Sequence, residues 1–298
     1  MISNKDTLRF SGHETFHCKE QWMLKGVQLI QDQGDVGILK REEESVPLLG
    51  VGKNMVRSIN HWLKAFGFLN IDNQISEFAN LLFLVEELDP YLEKEGTLWL
   101  LQYFICSTGY ASIFNLIFSE YFSNKATLEF SELQIQKFIN AELRLRNQKP
   151  VTEKTLNSDY KVFIRTYVSP IKNEKTVEDD FNTPLLGLSL VLDTGRKNNL
   201  GQTVYRINRD IHSVPSEVFI YCLLNEFENQ LSISFDDIRK TIGSYLCISN
   251  EGLERLIDEI CEKHNEFVYK DDAGIRQLQL KNVSDNFKNK MLTRYYEI

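Results

Sequence analysis

The amino-acid sequence predicts a mainly helical protein of the α+β class, with small β-hairpins and with tandem winged helix-turn-helix modules around a helical core. The main observation is that one spacing of apolar residues, typical of an amphipathic helix, occurs three times along the 298 residues. Each occurrence is followed by two short strand-like segments, and a helix that leads into a hairpin is typical of a winged module. The composition, with 42% hydrophobic and 26% charged residues, indicates a globular chain with enough apolar side chains for a large core or for two to three small domains.

The first repeat occupies residues 49–68. Steps of 4, 3, 1 and 3 separate its apolar residues, which are Met55, Ile59, Trp62, Leu63 and Phe66. These positions share one face of a helix. Gly67 is expected to end that helix, and the apolar segments on either side of Asp72 and Asn73 predict a short hairpin.

Two later repeats keep the same steps. They contain Leu156, Tyr160, Phe163, Ile164 and Tyr167, and then Leu253, Ile257, Ile260, Cys261 and His264. Thr152 or Thr155 is expected to cap the second helix, and strands are predicted at 188–192 and 204–207 and at 267–269 and 277–280. We therefore expect an N-terminal module in residues 1–90, a central helical region with a second module in 91–212, and an acidic C-terminal module in 213–298.

The stretch from Gly96 to Ser119 has no charged residue and is long enough to span a bilayer. Polar residues within it, acidic residues on both sides and a central Ser107-Thr108-Gly109 favour a buried core of two helices instead. The five cysteines are scattered and never form a C-x-x-C pair, which fits a reducing compartment. The first residues lack the basic and apolar regions of a secretory signal, so a cytoplasmic location is expected.

The formal net charge of −8 argues against a chain that wraps nucleic acid over its whole surface, but it leaves room for local basic faces. Opposite the apolar stripe of the first helix we expect an outward face of Lys53, Asn54, Arg57, Asn60, His61 and Lys64. Residues of this kind on a recognition helix contact phosphates and base edges.

The second helix offers a similar face, with Lys154, Lys161 and Arg165, and the following hairpin adds Arg196 and Lys197. Six bases stand against two acids between residues 144 and 165, a local excess of +4. The third helix instead carries Glu251, Arg255, Asp258, Glu259 and Glu262, which suits a protein partner better than DNA. The alternative for both basic faces is an ordinary solvated surface.

The segment His13-Glu14-Thr15-Phe16-His17 has the H-E-x-x-H spacing of zinc peptidases. Such a site needs both histidines on one turn of a helix and a third ligand downstream. Here the helical phase of apolar residues begins only near Trp22, and no H-x-x-G-x-x-H extension follows. We therefore predict neither a metal nor a cofactor, with a zinc metallohydrolase as the less favoured alternative.

Several segments resemble the family catalogued as domain of unknown function 4007. They are F-S-G-H-E-T-F at 10–16, the block at 49–67, D-P-Y-L-E-K-E-G-T-L-W-L-L-Q-Y at 89–103, E-D-D-F-N-T-P-L at 178–185 and L-T-R-Y-Y at 292–296. In that family S-G-H-E-T-F recurs without a second histidine at the place of His17, so the resemblance implies no fixed ligand role for His17. It leaves Ser11, His13 and Glu14 as members of a polar cluster against the first module.

The resemblance also implies a setting beside sulfur-transfer enzymes in bacterial DNA-modification and phage-defence clusters, such as those for phosphorothioation. No Walker A motif, dinucleotide-binding glycine motif or G-x-S-x-G elbow is present. The hypothesis is therefore a non-catalytic adaptor that contacts double-stranded DNA through winged modules and docks a sulfur-transfer or other DNA-modification enzyme. The main alternative is an assembly scaffold that does not touch DNA.

Overall fold

The computed structural model describes residues 7–70, 72–123, 125, 127–169, 183–209, 214–272, 274–281, 283–284 and 286–297. Residues 178–182 of the family-like segment and His212 lie outside this range. The chain forms two compact units, Met1–Ile207 and Asn208–Ile298. Helices and two small antiparallel sheets make it an α+β protein, as the sequence predicted.

The first part of unit Met1–Ile207 is helical. It contains α1 (Glu20–Gln33), a 3₁₀ turn (Ile38–Lys40), α2 (Glu42–Leu49), α3 (Lys53–Ala65) and α4 (Glu77–Ala79), which continues as a π-helical turn (Asn80–Leu84). The predicted stripe of α3 is confirmed, because Ile59, Trp62 and Leu63 are fully buried. Gly67 adopts a φ of +69° and the N–H of Phe68 donates to the carbonyl of Leu63, which ends the helix as expected. Among the described residues of this segment, the predicted hairpin is reduced to one bridge between Leu69 and Ile75.

The uncharged stretch forms α5 (Glu95–Ser107) and α6 (Ser112–Asn115), which continues as a π-helical segment (Leu116–Tyr121). The break between them falls where the Ser-Thr-Gly sequence predicted it, and the stretch is largely buried. In the described parts of the chain, no single helix has the length and apolar character needed to cross a membrane. α5 and the α6 segment meet that criterion only as a pair bent by 99°.

The rest of this unit combines helices with a small sheet. It consists of β1 (Glu129–Phe130), α7 (Glu132–Leu145), α8 (Glu153–Tyr167), a 3₁₀ turn (Pro184–Leu188), β2 (Val191–Lys197) and β3 (Thr203–Ile207). The strands are antiparallel in the order β1-β3-β2. The Thr152 side chain accepts a hydrogen bond from the N–H of Thr155, so Thr152 is the cap of α8. Leu156, Tyr160 and Phe163 are buried as predicted.

An aromatic core joins α3, α6 and α8. The rings of Trp62 and Phe114 are 6.0 Å apart, and that of Phe114 lies 5.3 Å from Phe163. The Tyr167 hydroxyl donates to Oε1 of Gln102 at 2.6 Å, which ties α8 to α5. Because interiors are close-packed, these contacts fix how α8 is rotated about its own axis.

In unit Asn208–Ile298 a helix is followed by a strand, two helices and two strands, the same order as in the last part of the first unit. It contains α9 (Ser216–Glu226), β4 (Ser232–Ser234), α10 (Phe235–Ile238) with a π-helical turn (Arg239–Gly243), α11 (Asn250–Lys263), β5 (Phe267–Asp272), β6 (Ile275–Leu280) and α12 (Phe287–Glu297). Its strands are antiparallel in the order β4-β6-β5, and the predicted β5–β6 hairpin is confirmed. Leu253, Ile257 and Ile260 form the buried stripe of α11.

Candidate nucleic-acid interface

The predicted outward face of α3 is only partly exposed. Lys53, Asn54 and Arg57 are exposed, whereas Asn60 and Lys64 are half-buried. His61 was expected on this face, and that expectation is wrong, because only 7% of its surface is accessible. The residue flanks the apolar stripe, and the N-terminal segment covers it: a Cβ atom on Gly12 would lie 2.8 Å from Nδ1 of His61.

Acidic side chains of α2 neutralise the exposed part of this face. The Arg57 guanidinium donates to both carboxylate oxygens of Glu42, at 2.5 and 3.1 Å, and Lys53 Nζ lies 3.6 Å from Glu43 Oε1. The hydrogen bond from Arg57 lowers the pKa of Glu42, and the carboxylate in turn raises the pKa of Arg57. The two exposed cations of α3, Lys53 and Arg57, are therefore not free to bind phosphate. A phosphate would have to displace two carboxylates there.

Cations also gather near the C-terminal end of α3. Arg9 and Lys64 both approach the ring of Tyr110, at 5.0 and 5.9 Å from its centroid. Burial, and then the charges of Lys40 and Arg9, lower the pKa of Lys64. The surroundings of Lys64 are thus cationic, unlike those of Lys53 and Arg57.

The exposed face of α8 carries three cations. Lys154, Lys161 and Arg165 are all exposed, and within the described residues none of them has a salt-bridge partner within 4.0 Å. Upstream the local positive excess is smaller than the sequence suggested. Arg146 binds Glu120 at 2.8 Å and also pairs with Glu142, so it serves the packing of α7.

The β2–β3 hairpin carries the other two predicted residues, Arg196 and Lys197. Arg196 pairs with Glu129 of β1, whereas Lys197 is exposed and has no salt bridge to any residue that the structure describes. At the tip, Oδ1 of Asn198 accepts hydrogen bonds from the N–H groups of Leu200 and Gln202, at 2.9 and 3.0 Å. The tip is therefore an ordered turn, from which the Leu200 side chain is 67% exposed.

An open groove of about 470 Å³ runs between α8 and this hairpin. Its lining includes Glu132, Tyr160, Lys161, Ile164, Arg165 and Tyr205. The sequence indicated the two cations but not the tyrosines or Glu132. Tyr160 belongs to the apolar stripe of α8 and was assigned to the core, and no sequence signal placed Tyr205 beside it.

The motif Ser11–Thr15 is anchored to the buried side of α8. The N–H of Ser11 donates to both carboxylate oxygens of Asp159, each at 3.0 Å, and His13 Nε2 lies 3.4 Å from Asp159 Oδ1. The N–H of Thr15 donates to His13 Nδ1 at 3.0 Å. Gly12 follows a tight path with a φ of +92°.

The H-E-x-x-H segment does not have the geometry of a zinc peptidase. His13 and His17 precede α1, which begins only at Glu20, so they do not share a helical turn. Within the described residues, no three His, Cys, Asp or Glu side chains are grouped closely enough to hold a metal ion. Burial first, then the charges of His13 and Lys64, lower the pKa of the neighbouring His61 to about 3. Glu14 contributes to the raised pKa of Arg57.

The outer face of α11 in the second unit is acidic, as expected. An open groove of about 520 Å³ is lined by Glu251, Glu254, Arg255, Asp258, Glu259 and Glu262. Glu254 pairs with Arg276 at 2.5 Å and Glu259 with Lys263 at 2.6 Å, so part of this charge is compensated within the unit.

Comparison with known proteins agrees with the motifs found in the sequence. The model of a family described as "Protein of unknown function (DUF4007)" matches residues 10–296. A magnesium ion-bound SspB crystal structure is similar with a TM-score of 0.79 at 20% identity, over 99% of this chain and 90% of that one. A second SspB crystal structure gives 0.78 at 21% identity, over 97% and 88%.

At this level of identity the likeness to SspB shows a shared fold. No curated protein matches the chain. The family match, in contrast, covers nearly the whole sequence and includes the Ser11–Thr15 motif. The chain belongs to the DUF4007 family.

Proposed function

We propose that this chain is a DNA-contacting component of a bacterial DNA-modification or phage-defence system, and that it binds duplex DNA through α8 and the β2–β3 hairpin. The observation that carries the proposal is the exposed row of Lys154, Lys161 and Arg165, which no carboxylate of the described residues neutralises. Unpaired cations in one row attract phosphates, whereas the ion-paired face of α3 must first give up its carboxylate partners.

The order of elements supports this choice of helix. In both units a helix is followed by a short strand, two helices and two strands, and the first strand pairs with the last. We interpret both as winged helix-turn-helix modules, with α8 and α11 as the second helices of their helix-turn-helix pairs. In such a module the second helix enters the major groove with its N-terminal residues towards the bases. Lys154 is then placed for base edges, and Lys161, Arg165 and Lys197 for phosphates.

The second unit has a different role in this proposal. The carboxylates of α11 repel a phosphate backbone, so this face is suited to a protein with a basic surface. The resemblance to the DUF4007 family implies a setting beside sulfur-transfer enzymes, which fits a partner that is a sulfur-transfer or other DNA-modification enzyme. The chain would then act as an adaptor in the cytoplasm, between DNA and that enzyme.

The salt dependence of DNA binding tests the proposal. Each phosphate contact contributes about 0.9 to the slope of log K against log salt concentration, so a variant with alanine at Lys161, Arg165 and Lys197 is expected to lose about 2.7 from that slope. A control with alanine at Arg255, Lys270 and Lys290 makes the same change in net charge on the second unit. Equal losses in the two variants would contradict the proposed face, and no binding even at low salt would favour the scaffold alternative.

The absence of catalysis by this chain stays a prediction and has its own test. One similar structure is titled magnesium ion-bound, so supercoiled plasmid should be incubated with the purified protein and Mg²⁺. Unchanged plasmid is the expected result. Relaxation of the plasmid that increases with protein concentration would show that the chain is an enzyme.

A further inference from the structure

The groove between α8 and the β2–β3 hairpin is lined by two tyrosines and a carboxylate as well as by cations, and a site for phosphate alone would not need them. We propose that it binds a single nucleotide displaced from the base stack of DNA, with the base stacked on Tyr205 and the phosphate at Lys161 and Arg165. The inference rests on the proposed DNA contact of this unit and adds a ligand to it. The volume of about 470 Å³ lies in the range of small-molecule sites.

The rings of Tyr160 and Tyr205 line the groove, and both pack against the ring of Phe130. The ring of buried Phe130 lies 5.9 Å from Tyr205, at an angle of 33°, and 6.4 Å from Tyr160, at 83°. Tyr205 remains half-exposed. Ile164, one turn after Tyr160 on α8, adds an aliphatic surface. Aromatic rings in a cationic groove are the usual platform for unpaired bases, because every base presents a flat face.

The hydroxyl of Tyr160 is the strongest sign that the groove binds a ligand. The side chain is 5% exposed, and its hydroxyl has no hydrogen-bond partner among the described residues. A buried hydroxyl is rarely left without a partner, because it has given up its hydrogen bonds to water. Burial, and then Tyr205 and Glu132, raise its pKa. At neutral pH it is therefore a hydrogen-bond donor for an acceptor on the ligand.

A carboxylate supplies the complementary acceptor. Oε1 of Glu132 accepts hydrogen bonds from Gln136, at 2.9 Å, and from Asn157, which fixes the orientation of the group. Oε2 makes no hydrogen bond within the described part of the chain, and Glu132 lines the groove. Carboxylates accept hydrogen bonds from the exocyclic amine of cytosine. A site for phosphate alone would not place a carboxylate there, because it repels the ligand.

The two cations belong to the same face. Lys161 and Arg165 are four residues apart on α8, so they lie one above the other along one side of the groove. With Glu132 the lining keeps a net positive charge. A mononucleotide unit, which carries a phosphate and a planar base with donors and acceptors, matches cations, aromatic rings, a hydroxyl donor and a carboxylate acceptor together.

The test compares two DNAs of one sequence, a perfect duplex and a duplex with one bulged cytidine, by fluorescence anisotropy with the full-length protein. The bulged DNA is expected to bind roughly tenfold or more tightly, because its base is already unstacked. Tyr205→Ala and Tyr160→Phe are expected to weaken binding of the bulged DNA by roughly tenfold and by roughly threefold or more, and to reduce its advantage over the perfect duplex. Tyr160→Phe removes only the hydroxyl, so the variant keeps the packing of the helix.

Lys154→Ala is the matched control, since Lys154 lies on α8 outside the lining of the groove. It should weaken both DNAs by the same factor. One result would overturn the nucleotide site and leave the duplex contact intact. In it the two DNAs bind with equal affinity, Tyr160→Phe and Tyr205→Ala have no effect, and Lys154→Ala weakens the binding of both DNAs. If neither DNA binds at low salt, the nucleotide site and the proposed function are both overturned.

Discussion

Acidification below neutral pH is expected to destabilise the first unit, because His61 must remain uncharged in the folded protein. The imidazole is buried, its Nε2 atom has no hydrogen-bond partner among the described residues, and His13 and Lys64 lie nearby. Burial first, and then these two neighbours, lower its pKa to about 3. An unfolded chain takes up this proton near the ordinary value of about 6.5.

The sign and size of the effect follow from proton binding. Between pH 6.5 and about 3 the unfolded chain binds one more proton at His61 than the folded protein does. The free energy of unfolding therefore decreases as the pH falls through this range, by about 1.4 kcal/mol per pH unit. At pH 5 the contribution of His61 is a loss of about 2 kcal/mol relative to pH 7.

The assay is urea denaturation at pH 7, 6 and 5, followed by tryptophan fluorescence. All three tryptophans, Trp22, Trp62 and Trp99, belong to the first unit, so the signal reports that unit alone. His61→Gln removes the titration and keeps a polar side chain of similar size. Its stability should fall by about 2 kcal/mol less than that of the original protein between pH 7 and pH 5. Parallel declines in the two proteins would refute the assignment of the acid sensitivity to His61.

Two further substitutions, with Gly34→Ala as a control, test contacts of the same unit. Gly12→Ala should destabilise the protein by about 2 kcal/mol or more in urea, since its Cβ would lie 2.8 Å from His61 Nδ1 at a φ of +92°. Gly34 also has a positive φ, but among the described residues a Cβ atom added there would meet no neighbour within 4 Å. Gly34→Ala should therefore lower the free energy of unfolding by only about 1 kcal/mol. An equal loss of stability in the two variants would contradict the proposed clash at Gly12. Glu42→Gln releases Arg57 from its ion pair, and if α3 also contacts DNA the affinity at low salt should rise by roughly threefold or more; unchanged affinity would restrict the contact to α8.

Much of the fold could be predicted from the spacing of apolar residues. The stripe of α8 has its apolar positions at Leu156, Tyr160 and Phe163, and these are buried because packing against α6 and the sheet rewards that face alone. The two later hairpins were predicted for a similar reason, since short apolar strands were separated by polar turns. The spacing of apolar residues and the strand–turn pattern are local properties of the sequence. They predict the structure correctly because each helix or strand buries its own apolar face.

The site was predicted less well, because its properties depend on elements that are distant in sequence. The phase of α3 placed His61 outward, but Gly12 and His13 pack against its ring, which is buried. The same phase identified Arg57 as exposed, which is correct, yet it carried no information about Glu42 on the preceding helix. A helical wheel describes one helix, whereas charge compensation and coverage are relations between two.

The Ser11–Thr15 motif and the basic face of α8 are two sides of one arrangement. Asp159, which holds the motif, and Lys161 are two residues apart on α8, so their side chains diverge by about 200° around the helix axis. Once Asp159 is fixed inward by the N–H of Ser11 and by His13, Lys161 is directed outward. A motif that looks catalytic in the sequence therefore acts with the aromatic core to fix the rotation of the helix that we propose to contact DNA, and this role requires neither a metal nor a reaction at His13.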